Sequence, residues 1–232
     1  MFEPPTPFEI EALWLSLRVG VASLVVTAPL GLALAWLLAR SAFPGKWLLE
    51  ALVNLPLVLP PVVTGLVLLM VFGVRGPVGG WLRDVAGVTL AFHWTGAALA
   101  AAVMALPLVV RPIRLSIEAV DRRLEQAAAT LGASPLRVFT SVTLPLLAPG
   151  IAAGAFLGFA RAFGEFGATV TFAGSIPGET QTLPVAIYTA LQRTDGEDAA
   201  VRLAVLSVAV SILALLVVEW FNRRVRARGL SL

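Results

Sequence analysis

The chain has 232 residues, 58% of them apolar and 13% charged, with a mean hydropathy of +0.89. A soluble domain, with about half its residues apolar and about a quarter charged, is excluded. With no cysteine and a single histidine, His93, so are a disulfide scaffold, a thiolate or multi-histidine metal centre and a cysteine nucleophile. The net charge of +3 comes from Lys46 and sixteen arginines that lie mainly between and after the apolar stretches. That distribution points to membrane orientation and not to nucleic-acid binding.

Glu3, Glu9 and Glu11 precede the first apolar run without a basic residue, so no cleavable leader is expected, and residues 1–12 form a short segment ahead of the membrane domain. Residues 13–39 carry one charge, Arg18, and predict the first membrane helix, since about 20 helical residues cross a hydrocarbon core. Residues 50–74 predict the second, with Pro56, Pro60 and Pro61 inside it. Each proline removes a backbone donor and disturbs the preceding turn. The freed carbonyls are met either by a pathway, with Thr64 and Gly65 beside it, or by a neighbouring helix at a structural kink. Residues 86–110 predict the third span, and His93 with Trp94 in its outer half reads as a packed interfacial pair before a proton relay.

Residues 111–141 form the longest polar connection. Within it, 121–131 (DRRLEQAAATL) is rich in helix formers, Gly132 suits a helix stop, and Ser134 with Pro135 suits the cap and first residue of a second short helix over 135–142. Ala127, Ala128 and Ala129 leave a nearly flat face that another protein can approach closely; local features alone equally fit a solvated linker. The fourth span is predicted over 143–164, where Gly150, Gly154, Gly158 and Ala162 recur every four residues and make a packing face, within the subunit or between subunits. Arg161 and Glu165, also four apart, are either pathway groups or a self-neutralising structural pair. Residues 166–187 read as a loop or partly re-entrant segment, and 200–220 as the fifth span, bracketed by Arg202 and Glu219. The remainder, 221–232, is a basic tail.

Of the basic residues, eleven fall in 40–49, 111–141 and the tail, and five in the alternate connections. This predicts an external N-terminus and a cytoplasmic C-terminus, and a sixth span built from 166–187 would reverse the parity. A secondary transporter driven by an ion gradient would want intramembrane carboxylates and an internal repeat, whereas the sequence offers Glu165 and no repeat. An intramembrane enzyme lacks the groups for nucleophilic or metal chemistry.

The order of residues in the long connection is more specific than its composition. Gln126-Ala127-Ala128, three residues, Gly132, nine residues, Val142, one residue, Leu144-Pro145 resembles the E-A-A-x3-G-x9-I-x-L-P motif of membrane subunits of ATP-binding-cassette importers. Gln126 stands where the pattern has Glu, with Glu125 one residue earlier, so the polar contact of the motif glutamate falls to one or the other. RSAFPGK at 40–46, LPLVLPPVVTG at 55–65, LEQAAATLG at 124–132, FGEFGATVT at 163–171 and IPGETQT at 176–182 together resemble the permease subunits of molybdate importers.

The resemblance implies an all-α membrane protein of five, or with 166–187 six, spans in the type I importer fold, with 13–220 as its transmembrane domain and 121–141 as its coupling helices. It also implies a homodimer in the plasma membrane, a pair of cytoplasmic ATPase subunits using ATP-Mg, and an external oxyanion-binding protein. No G-x4-G-K-[ST] loop is present: Gly45-Lys46 is followed by Trp47 and has Arg40 where the first glycine belongs. No catalytic residue, metal or cofactor is therefore expected in this chain. On this resemblance Glu125, Gln126, Ala127, Ala128, Gly132, Val142, Leu144 and Pro145 couple to the ATPase, while Pro60, Pro61, Thr64, Gly65, Arg161 and Glu165 serve the pathway. Permeases for tungstate, sulfate or thiosulfate share this architecture and are the nearest alternatives.

Overall fold

The computed structural model describes residues 6–227, and among the described residues its regular structure is all helix, without strands. Residues 1–5 and 228–232, and the side chains of Arg223, Arg224, Arg226 and Arg228 in the predicted basic tail, lie outside the described residues.

Helix α1 (Pro7–Arg40) starts earlier than the apolar run, because a capping box opens it: Glu9 N donates to Thr6 Oγ1 at 3.4 Å and Thr6 N to Glu9 Oε2 at 2.9 Å. Part of the predicted N-terminal segment thus belongs to the first long helix. The predicted second span is two helices, α2 (Lys46–Val58) and α3 (Pro61–Phe72), bent by 117°. Pro56 is carried within α2, whereas Pro60 caps α3 and Pro61 is its first residue, so the adjacent pair makes the break. Helix α4 (Pro77–Ala86) is a short surface helix exposing Trp81 and the Arg83–Asp84 pair.

Helix α5 (Trp94–Ala119) begins and ends eight to nine residues later than the hydropathy of 86–110 predicts. Gly87 at φ +66° ends α4 and Phe92 at φ +60° turns the chain, so the apolar stretch between them is loop. Hydropathy reports an apolar setting, not helicity. At its far end α5 carries Arg114, which is paired with Glu118 at 2.7 Å and with Glu50 of α2 at 2.8 Å.

The connection then folds as α6 (Arg122–Thr130), α7 (Pro135–Val138), a π-helical turn over Phe139–Thr143 and α8 (Leu144–Phe163). The second short helix does not stop at 142: residues Pro135–Phe163 form one 29-residue unit. Residues 166–187, read as loop or re-entrant, hold α9 (Gly167–Phe172) and the start of α10 (Leu183–Leu191), both too short to cross. Helix α11 (Glu197–Ala227) closes the chain. Among the described residues, four helices are long and apolar enough to span, and the bent α2–α3 pair makes up to five.

The centre of the bundle is α5, with 67% of its most apolar window buried against 28% in α1 and 11% in α11. Its alanines at 97, 98, 100, 101, 102 and 105 are buried. Small side chains substitute here for the hydrophobic drive that lipid does not provide, because they let helices approach closely. Helices α1 and α8 flank it: a methyl group at Gly154 would stand 2.8 Å from the Val109 carbonyl oxygen, and Gly31 of α1 presses on Val109 as well.

Candidate coupling and translocation site

Helix α6 is set up by its own sequence. Asp121 caps it by accepting from Arg123 N at 2.9 Å, and Gly132 ends it at φ +85°, where an L side chain is strained. Ser134 then caps α7 by accepting from Arg137 N at 3.4 Å. All of α6 is at least partly exposed: Gln126 and Ala127 face out, Ala128 is half-buried, and Leu131 beside Gly132 is 88% exposed. A polar and apolar surface thus projects from the end of the bundle. Val142, Leu144 and Pro145, the end of the motif, lie half-buried where the π turn meets α8.

Glu125 does not face the same way as Gln126. Neighbouring residues on a helix differ by about 100° in direction, and Glu125 turns back to its own chain, accepting from Arg40 Nη2 at 2.9 Å and from Thr143 Oγ1 at 2.8 Å.

The broken second element meets α9. A methyl at Gly65 would lie 2.7 Å from the Ala168 carbonyl oxygen, and one at Gly167 would lie 2.8 Å from Pro61 Cβ. Thr64, its neighbour on α3, is buried and its hydroxyl has no hydrogen-bond partner. Gly65 therefore meets α9 and Thr64 is buried, while Val62, Leu66 and Met70 of α3 are exposed. Arg161 and Glu165 form an ion pair in which the carboxylate is buried and the guanidinium partly open. Glu165 Oε1 also accepts from Ala168 N at 2.8 Å, so the same side chain fixes the start of α9. The predicted residues of the second and fourth spans are thereby brought together through α9, whereas the residues expected to couple to an ATPase are a separate cluster.

The glycine stripe of α8 faces α5 within the subunit: Gly150 packs on Ser116, and Gly154 and Gly158 on Val109. At the opposite end of the bundle, Arg18 stacks 3.7 Å from the centre of the Trp94 ring, and His93 Nε2 stands 3.1 Å from Glu179. His93 also takes a hydrogen bond from Thr95 N at 3.4 Å as the cap of α5.

Sequence reasoning did not single out Arg40, Thr143 or the pair of buried Glu9 with half-buried Arg202 at 2.9 Å. Arg40 stood in one of the quoted motifs, RSAFPGK, and that was its available signal. The Glu9–Arg202 contact joins residues 193 apart and leaves no local trace.

The chain matches the pattern of binding-protein-dependent transport system inner membrane components over residues 28–227. It is 53% identical over 221 residues to the molybdenum transport system permease protein ModB of Escherichia coli strain K12, covering 95% of this chain and 96% of that one. To the sulfate transport system permease protein CysT of the same strain it is 36% identical, covering 94% of this chain and 78% of that one. Among solved structures, a subunit of a bacterial alginate ABC transporter, crystallised with a pentasaccharide-bound periplasmic protein, superposes with a TM-score of 0.74 at 17% identity, over 95% of this chain and 80% of that one. The fold is thus shared at low identity, the sequence at high identity over nearly its whole length, and the chain belongs to the family of binding-protein-dependent transport system inner membrane components, as a membrane-spanning permease subunit.

Proposed function

We propose that this chain is the permease subunit of an ATP-driven molybdate importer, working as a homodimer over two cytoplasmic ATPase subunits and fed by an external oxyanion-binding protein. The observation that carries the substrate is the gap between 53% identity to a molybdenum permease and 36% to a sulfate permease, at nearly equal coverage of this chain. The exposed α6–α7 surface, with Gln126, Ala127, Ala128 and Gly132, is the surface that the ATPase grips. Closure of the ATPase on ATP-Mg moves that surface, and the bundle changes between two arrangements that open the pathway to one side and then the other.

The pathway runs beside the α2–α3 break and α9, with Pro60 and Pro61 making the break, Thr64 and Gly65 seating α3, and the open side of Arg161 supplying positive charge. Full desolvation of a dianion would require many convergent donors. Scarcity of such donors along the spans suits a conduit, and selectivity then rests with the binding protein. A second reading, sulfate or thiosulfate, is favoured by the lower but extensive likeness to the sulfate permease.

The test is uptake into vesicles holding this chain, its ATPase and its binding protein. Labelled molybdate should enter only with ATP inside the compartment that holds the ATPase. Tungstate should compete with it, and a large excess of sulfate should not. Sulfate uptake that molybdate fails to inhibit would replace the molybdate assignment by the sulfate one.

A further inference from the structure

Helix α6 is held to the rest of the chain by little apolar packing, since each of its residues is at least partly exposed and Leu124 is half-exposed. What ties it down is a polar cluster on its inner side. One oxygen of Glu125, Oε1, accepts both from Arg40 Nη2 at 2.9 Å and from Thr143 Oγ1 at 2.8 Å. Arg40 is the last residue of α1, and Thr143, 1% exposed, is the last residue of the π turn that leads into α8. The Arg40 guanidinium also lies 5.4 Å from the Trp36 ring, and Trp36 meets Phe139, the first residue of that turn, edge to face at 5.5 Å. Side-chain exposures of 13% for Arg40 and 21% for Glu125 shield the pair from screening by water and salt.

We infer that Glu125 is a positioning residue for transport, latching α6 to the ends of α1 and α8 at once. A push on α6 is then carried into both helices that flank α5, instead of being absorbed by the Gly132 joint. The π turn is the compliant part of this linkage. A wide turn leaves the hydrogen-bond ladder locally irregular, and here the residue that closes it donates its hydroxyl to the latch. Within the motif the two polar residues therefore divide the work: Gln126, exposed, faces the partner, and Glu125 faces the chain's own bundle.

This inference rests on the permease reading above, and the experiment separates the two. In vesicles with the complete transporter, the quantity read is oxyanion carried per ATP hydrolysed, together with retention of the ATPase on purification. Glu125→Gln and Arg40→Gln should each keep the ATPase in the complex and lower the ratio about tenfold, within the usual range for coupling between sites. The charge swap Arg40→Glu with Glu125→Arg should restore most of the wild-type ratio, and Thr143→Val should lower it by less than Glu125→Gln. A wild-type ratio in Glu125→Gln, a swap no better than the single variants, or loss of the ATPase from the Glu125→Gln complex would each overturn the latch, the last by making Glu125 a docking contact. A wild-type complex that hydrolyses ATP and carries no oxyanion would instead overturn the permease reading beneath it.

Discussion

At the scale of single residues, Gly132 separates backbone demand from space. Its φ of +85° is left-handed, yet a methyl group there would meet nothing within 4 Å. Within the chain a substitution at this joint therefore acts through conformation, at a cost of about 1–2 kcal/mol for an ordinary L residue and more for a β-branched one. Gly132→Val should change the angle between α6 and α7, and either uncouple ATP hydrolysis from uptake or release the ATPase. Gly132→Asn, which tolerates the left-handed region, should keep most of the uptake. Both are measured in the same vesicle assay, and normal uptake by Gly132→Val would remove the joint from the coupling assignment. Gly132 was legible because a helix stop is written locally. Glu125 was legible only as a candidate, since its direction depends on Arg40, 85 residues away.

Among the elements, spacing was readable and register was not. The four-residue recurrence of Gly150, Gly154 and Gly158 announced a close-packed face, but whether it lay inside the subunit depended on what stood opposite. The structure puts α5 there, with the Val109 carbonyl 2.8 Å from a methyl built on Gly154. A carbonyl held in a helix cannot retreat as a flexible side chain can, so Gly154→Ala should lower stability by about 1–3 kcal/mol, as overpacking generally does. Gly80→Ala is the matched control: its nearest contact would be an ordinary 3.6 Å, and the better helix former should leave stability unchanged or slightly raised. Thermal unfolding of the two variants in the same detergent checks this, and equal midpoints would show that α8 can shift away from α5. The late start of α5 follows from similar physics, because the 87–93 loop is as apolar as a helix and only Gly87 and Phe92, at positive φ, set it apart.

For the whole molecule, topology turns on the one element that the prolines break. The two termini lie on opposite sides if α2 and α3 together cross the membrane, and on the same side if the 117° bend returns the chain to the face it came from. Charge counting favours crossing, since it places 40–49 with the coupling connection and Arg75 and Arg83 on the other side. The cysteine-free sequence makes the question directly accessible. Ala42 in the α1–α2 turn and Thr194 between α10 and α11 are both exposed, and α2–α3, α5 and α8 lie between them. Three crossings put them on opposite faces; two put them on the same face. In intact cells, a membrane-impermeant maleimide should label Thr194→Cys and spare Ala42→Cys until the membrane is opened. Equal labelling or equal protection would make the α2–α3 pair re-entrant. Labelling of Ala42→Cys alone would keep three crossings and invert the orientation, placing α6 and its exposed face away from any cytoplasmic ATPase.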